Sequence, residues 1–353
     1  MVTADIVIIG SGSLAAKITN ALSQLSVGRL RVAVIARSLA KASYIAAIAN
    51  ARASMLGGPT TFLPFEVARF KAAAFSRAFA SLKPKVILHG ASIQSPWEAD
   101  RKQSAWTKLI ASAGFGVALP LQLDLVAEVS RAAGDTQAAI VNASYPDCVN
   151  VVLDRLALRA TCGIGNAAIV EAFCRSRTPE RNVDVRVVGH HGQLGAWLKG
   201  KTIRGPIRVW VKNQEIDSLP FSPKAAHIDE GMNDVTATTA VSIMMSLLTG
   251  DTLKLSIPGA AGLPGGYPFL LKRRKFTLRL PPGVTLDEAV AHNKIGERLD
   301  GLDLRGGVKF VAKTRRALAS VGFEYFQGFD FAEWRAVRDR MLLLRDRLRS
   351  RPA

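Results

Sequence analysis

Asp5-Ile-Val-Ile-Ile-Gly10-Ser11-Gly12-Ser13-Leu14-Ala15 opens the chain with an apolar run, a glycine-rich turn and the start of a helical pattern. A short continuous apolar run is the signature of a parallel strand buried on both faces. In the turn Gly10-x-Gly12-x-x-Ala15, the missing side chains let the backbone come close to a pyrophosphate. The helix behind it presents free N–H groups to the anion. Alanine suits the third position, where close helix–strand packing is the only demand. The motif is weak alone, but here it lies between strand and helix at the start of a βαβ unit, the setting it requires. Gly10, Ser11, Gly12, Ser13 and Leu14 are therefore candidate dinucleotide-binding residues.

Further apolar runs at Arg31–Ala36, Lys85–Gly90 and Gln137–Asn142, with a helical segment near Leu121–Ala133, predict alternating strands and helices. That alternation implies right-handed βαβ units and a parallel sheet. Beyond about residue 155 the pattern changes to α+β. Strands are expected at 183–189, 207–211 and 253–257, a helix at 236–248, a Gly/Pro-rich loop at 258–268 and a basic amphipathic helix at 335–349. The fold class is thus α/β: a doubly wound Rossmann sheet over residues 1–155, then an α+β substrate or catalytic domain over 156–353 that ends in the basic helix.

With 353 residues the chain is long enough for two full cores, and at 48% apolar and 21% charged residues it is not a disordered chain. No apolar run reaches the roughly 18 residues of a membrane span. The start of the chain lacks the basic region of a signal peptide and reads as a first strand. Three irregularly spaced cysteines (Cys148, Cys162 and Cys174) make neither a disulfide framework nor a zinc site, so no metal is expected and a reducing, cytoplasmic setting is. The net charge of +19 is spread along the chain without a nucleic-acid-binding motif. An anionic small molecule is the expected partner, ahead of nucleic acid or membrane.

Four other places carry chemistry. At the end of the second strand stands Ala36-Arg37-Ser38, where an NAD site usually has an acid for the ribose 2′-hydroxyl. A guanidinium and a hydroxyl suit a 2′-phosphate, so NADP is expected over NAD, with Arg37 and Ser38 as contacts. Asn142 ends a strand where side chains face the ligand crevice. Gly189-His190-His191-Gly192 places a histidine at a strand end, positioned for acid/base work. Gly163-Ile-Gly165-Asn-Ala-Ala168 superficially repeats the phosphate turn but lacks a strand before it, so no second nucleotide site is expected.

In this order and spacing, the chain from Asp5 to about Leu302 resembles the lactate/malate dehydrogenase superfamily. The resemblance implies that His89-Gly90-Ala91, with Gly90 a cofactor contact, ends a strand and that Ser95-Pro96 through Arg101 form the mobile loop that closes over the substrate. It makes His191 the proton-transferring histidine, matches Asn142 to the family's Asn before a proline, and implies a homodimer. One departure stands out. The family's Asp that orients the histidine and its Arg that clamps the substrate carboxylate align with Ile169 and Ala172. Arg101, Lys212 and Asn233 are then the candidates for holding the substrate. The expected function is NAD(P)-dependent hydride transfer at a carbonyl or imine carbon of a substrate other than lactate or malate. A non-catalytic NAD(P)-binding sensor of the same fold is the alternative.

Overall fold

The apolar segments Ile6–Ile9 (β1), Arg31–Ala36 (β2), Thr61–Glu66 (β3), Val86–His89 (β4), Ala139–Asn142 (β5) and Cys162–Gly163 (β6) pair side by side, all parallel. In the computed structural model, which describes residues 3–352 except 26–27, 135 and 181, the sheet order is β3-β2-β1-β4-β5-β6. β1, β4 and β5 are buried along their whole length, as an apolar run with no polar face requires. The order reverses between β1 and β4, and at such a switch point the carboxyl ends of the strands border a crevice.

The crossovers in the first half are Ser13–Leu22 (α1), Leu39–Met55 (α2), Ala72–Leu82 (α3), Glu98–Arg101 (α4), Ala105–Ala113 (α5), Leu119–Ala132 (α6) and Pro146–Arg155 (α7). The second half brings Ala167–Ser176 (α8), His191–Leu198 (α9), Met232–Thr249 (α10) and Leu286–Leu299 (α11). Two antiparallel sheets accompany them: Val185–Val188 (β7), Arg208–Val211 (β8) and Gln214–Ile216 (β9), then Leu253–Pro258 (β10), Gly266–Lys272 (β11) and Lys275–Leu278 (β12). A small third sheet, Leu302–Asp303 (β13), Val308–Phe310 (β14) and Gly328–Phe329 (β15), carries Ala312–Ser320 (α12) and leads into Trp334–Arg349 (α13).

Three boundaries differ from the sequence reading. β3 contains Pro64, which hides it as a strand; it is tolerated because β3 is the sheet edge, where a missing N–H breaks no ladder. β6 lies past residue 155, so the parallel sheet extends into what reads as the second domain. The expected loop 258–268 holds the start of β11, where Tyr267 and Phe269 supply the apolar anchors.

The basic helix α13 is an integral part of the core. Trp334, Val337, Met341, Leu344 and Leu348 form one buried stripe and pack with Trp106, Leu109 and Val126 of α5 and α6. The tail of the chain therefore closes over the first domain. Among the described residues, no single helix is long and apolar enough to cross a membrane.

Trp334 is 2% exposed, and the guanidinium groups of Arg131, Arg335 and Arg338 lie 5.1–5.9 Å from its ring centroid. Trp334→Ala is expected to cost about 3–5 kcal/mol. Urea unfolding would check this, a loss below about 1 kcal/mol meaning that α13 is not docked.

Candidate active site

Helix α1 starts directly after β1 with Gly12 as N-cap and no side chain capping it, so its first N–H groups face open space. Gly10 has φ 134°, and a Cβ there would lie 3.0 Å from the Gly90 carbonyl oxygen; the turn passes this close to the end of β4 only as glycine. At Gly12 a Cβ would meet nothing within 4 Å and would project into the cavity. This bare, uncapped turn fits a dinucleotide pyrophosphate.

The cavity is about 640 Å³ and runs along the carboxyl ends of the strands. Gly10, Ser11, Gly12, Ser13, Leu14, Arg37 and Gly90 line one end; Phe115, Tyr145, His191 and Asp300 line the other. Ser38 is not in the lining. It caps α2, accepting the Lys41 N–H at 3.5 Å.

His191 begins α9 at the end of β7. Its backbone N–H donates to Asp147 Oδ1 at 3.0 Å, and its Nδ1 lies 2.7 Å from Asp300 Oδ2. Tyr145 Oη donates to the same Asp300 oxygen at 2.9 Å. The Phe115 and Tyr145 rings each stand 5.1 Å from the imidazole. Tyr145 is held with φ 47°, a left-handed conformation costing an aromatic residue on the order of 1–3 kcal/mol.

The expected vacancy beside the imidazole is thus filled. Ile169, which stands where the resemblance places an acid, lines the cavity, and Ala172 lines a separate surface hollow. The acid comes instead from the C-cap of α11, more than a hundred residues further on. What brings it there is a close crossing of α9 and α11. A Cβ on Gly192 would collide with the Gly296 carbonyl oxygen, and a Cβ on Gly296 would collide with His190 Cβ. Two glycines facing each other let the helices touch backbone to backbone, and Asp300 arrives at Nδ1.

Burial works against a charge on His191, but the facing Asp300 carboxylate, with Asp147 beyond it, outweighs burial and raises its pKa. Burial would likewise raise the Asp300 carboxyl; His191, His190 and the Tyr145 hydroxyl reverse this and hold it below the usual carboxylate range. Tyr145, pushed far up by burial and then by Asp300, stays a hydroxyl donor. With Nδ1 committed to Asp300, Nε2 is the nitrogen left for the cavity. His190 turns inward: its Nδ1 accepts the Gly192 N–H at 3.1 Å, its Nε2 lies 3.4 Å from Cys148 Sγ, and burial keeps it neutral.

Asn142 does not reach the cavity. Its Oδ1 accepts the Ser144 N–H at 2.8 Å and lies 3.2 Å from His89 Nδ1, and its Nδ2 donates to Asn150 Oδ1 at 2.8 Å. His89, whose pKa burial lowers to about 4, is neutral there. Asn142 shapes the β5–α7 turn that presents Tyr145. Arg101 lines the cavity rim but is ion-paired with Glu230, and Asn233 Nδ2 lies 3.4 Å from Ser13 Oγ, at the nucleotide end. Lys212 pairs with Glu180 at 2.8 Å on the surface, outside the lining.

The loop over the cavity is tied down by the C-terminal helix. Arg349 Nε donates to Glu98 Oε1 at 2.6 Å, and Arg345 donates to the Ile93 carbonyl at 2.7 Å. Buried Gln94 accepts the Trp106 indole N–H at 3.0 Å and donates to Glu98 at 2.9 Å. Sequence reasoning missed Asp300, Tyr145, Asp147 and Phe115. Gly296 within a helix signals close approach, but not its partner.

No family model matches the chain, nor does any curated protein. Solved structures do. It is similar to the malate dehydrogenase of Cryptosporidium parvum (TM-score 0.53, 14% identity, covering 85% of this chain and 98% of that one). It is also similar to the lactate dehydrogenase of the same organism complexed with lactic acid and nicotinamide adenine dinucleotide (0.51, 14%, 86% and 100%), and to the malate dehydrogenase of Plasmodium falciparum (0.51, 12%, 85% and 100%). At this identity the likeness defines the fold. The protein has the lactate/malate dehydrogenase fold, with further chain that those proteins lack.

Asp300→Asn removes the nearer charge that holds the proton on His191 and leaves only the weaker pull of Asp147 against burial, the largest single influence. The imidazole midpoint, followed by proton NMR, is expected above about 6.5 in the natural protein and below it in the variant. An unmoved midpoint would mean that the pair is not formed.

Proposed function

We propose that the protein is a nicotinamide-dependent oxidoreductase that transfers hydride to or from a carbonyl or imine carbon of a substrate other than lactate or malate. The observation that carries this is the His191–Asp300 pair, which faces the same cavity as the bare Gly10–Leu14 turn. The solved neighbours of this fold are dehydrogenases, one of them holding the dinucleotide. A sensor without activity fits less well, since of the two missing charges that favoured it Asp300 supplies the acid, although no arginine replaces the other.

When bound, the dinucleotide supplies or accepts the hydride. The turn residues Ser11, Gly12 and Ser13 bind its phosphates through backbone N–H groups at the α1 N-terminus. Arg37 at the end of β2 lines the cavity and would hold a ribose 2′-phosphate, favouring NADP(H). His191 Nε2 donates a proton to the substrate oxygen in reduction and takes it back in oxidation. Asp300 fixes the tautomer and stabilises the imidazolium, and Tyr145 fixes Asp300. Phe115 and Tyr145, each 5.1 Å from the imidazole, exclude water from the reacting end.

A homodimer belongs to the same reading. On α2, Tyr44 is 69% and Met55 87% exposed, beside exposed Ala40, Ala47 and Ala51; the charges on this helix are the exposed Lys41 and the half-buried Arg52. Large apolar side chains exposed this far favour a cover. A second copy suits it, and a monomer mass in sedimentation at micromolar concentration would remove the idea. Three free, buried cysteines agree with a reducing compartment such as the cytoplasm.

Calorimetry is expected to show binding of NADPH, and Arg37→Ala to weaken it roughly tenfold or more while leaving NADH nearly unchanged. His191→Ala should lower kcat roughly 10²–10⁴-fold with cofactor binding intact. Because the raised pKa keeps His191 protonated past the ordinary histidine range, reduction should persist above about pH 6.5 and fall as pH rises through that pKa. Oxidation should rise over the same interval. Absence of binding by either dinucleotide would defeat the proposal.

A further inference from the structure

Resting on the oxidoreductase reading, the geometry points to an uncharged substrate: a ketone, or the matching secondary alcohol, with a bulky apolar substituent and no carboxylate. The face of α9 that carries His191 also carries Leu194 and Leu198. Opposite them the cavity is walled by Ile169 of α8, Ile228 and Met232. Ile169, Leu194 and Leu198 pack in one apolar cluster with Ile228 and Met232 at its edge, so the wall is continuous.

A carboxylate in this place would have no free cationic partner, only neutral donors such as Asn166 and Thr236. Among the described residues, the only cationic side chains lining the cavity are Arg37, Arg101 and His191. Arg37 stands at the end of β2, three strands away from β5 across β1 and β4, or roughly 14 Å at ordinary strand spacing. Arg101 is already paired with Glu230. His191 is held by Asp300, and Asp147 lies just behind, so two carboxylates offset one imidazolium at the reacting end. An incoming anion would meet net negative charge and an apolar wall, and a buried ion without a partner is strongly disfavoured. A neutral ketone needs only one polar contact, from Nε2 to its oxygen, and buries the rest against Leu194, Leu198, Ile169 and Met232.

In reduction the carbonyl carbon accepts a hydride and the oxygen accepts the His191 proton. The C=O π bond is replaced by one C–H and one O–H bond. Both electrons come from the reduced nicotinamide, which is oxidised, and the imidazole regains its proton from solvent. No other reactant is needed.

The test compares phenylacetone with phenylpyruvate, which differ by a methyl group in place of the carboxylate. Binding is measured by calorimetry with cofactor present, and kcat/KM alongside. The expected result is a preference for the ketone of about 100-fold or more in both readouts. Ile169→Arg, which adds a cation to the wall, should move that ratio at least about tenfold toward the acid. Equal or better use of phenylpyruvate by the natural protein, or a preference for a cyclic imine over both, would overturn the inference, and the natural protein decides this even if the arginine variant does not fold. Cofactor binding measured on the same samples separates the two readings. No uptake of either dinucleotide strikes the oxidoreductase assignment, whereas uptake with a preference for the acid strikes only the substrate class.

Discussion

Everything at the reacting end depends on two helices touching at a pair of glycines. Gly192 in the first turn of α9 and Gly296 in the last turns of α11 leave no side chain between the backbones, and the C-cap of α11 therefore falls beside the imidazole of His191. The Asp300–His191 hydrogen bond of 2.7 Å follows from that crossing. It explains the raised histidine pKa, the lowered carboxyl and the orientation of Tyr145, whose hydroxyl shares the same oxygen. The backbone of Asp300 is fixed as well, since its carbonyl accepts the Gly116 N–H at 2.9 Å. The pair is thus braced from three elements and has little freedom to open.

At the other end a different constraint operates. Gly10 passes so near the Gly90 carbonyl that the β1–α1 turn and the end of β4 form one rigid rim. The two ends meet because α7, starting at Pro146, carries Tyr145 and Asp147 from the parallel sheet toward α9, where Asp147 accepts the His191 backbone N–H. His191, on the second half of the chain, is in this way held in the same cavity as the Gly10–Leu14 turn of the first.

Helix α13 gives the loop over the cavity a fixed support. Arg345 and Arg349 reach from α13 to Ile93 and Glu98, and Arg349 also lies 3.3 Å from Gln94 Oε1. Part of the chain's positive charge is thereby structural. The loop that the resemblance presents as mobile is anchored here by side chains from the end of the chain, and α13 is in turn held by Trp334 and the apolar stripe behind it.

The first strand, the glycine turn, the parallel sheet and a histidine placed at the end of β7 were legible in the sequence because each rests on local periodicity or on contiguous residues. Pro64 concealed β3, since the sequence does not say which strand will be at an edge. Asp300 was beyond its reach for a stronger reason. Asp300 and His191 are 109 residues apart, and their meeting is set by how closely two helices approach, a quantity that no window of sequence contains. Asn142 shows the converse: a strand-end amide aimed at the crevice by position alone was drawn into the interior by Ser144, Asn150 and His89. The sequence determined which residues could do chemistry, because residue type and local period are written in it. The tertiary structure alone decided which of them share a cavity, because side-chain partners are chosen by packing.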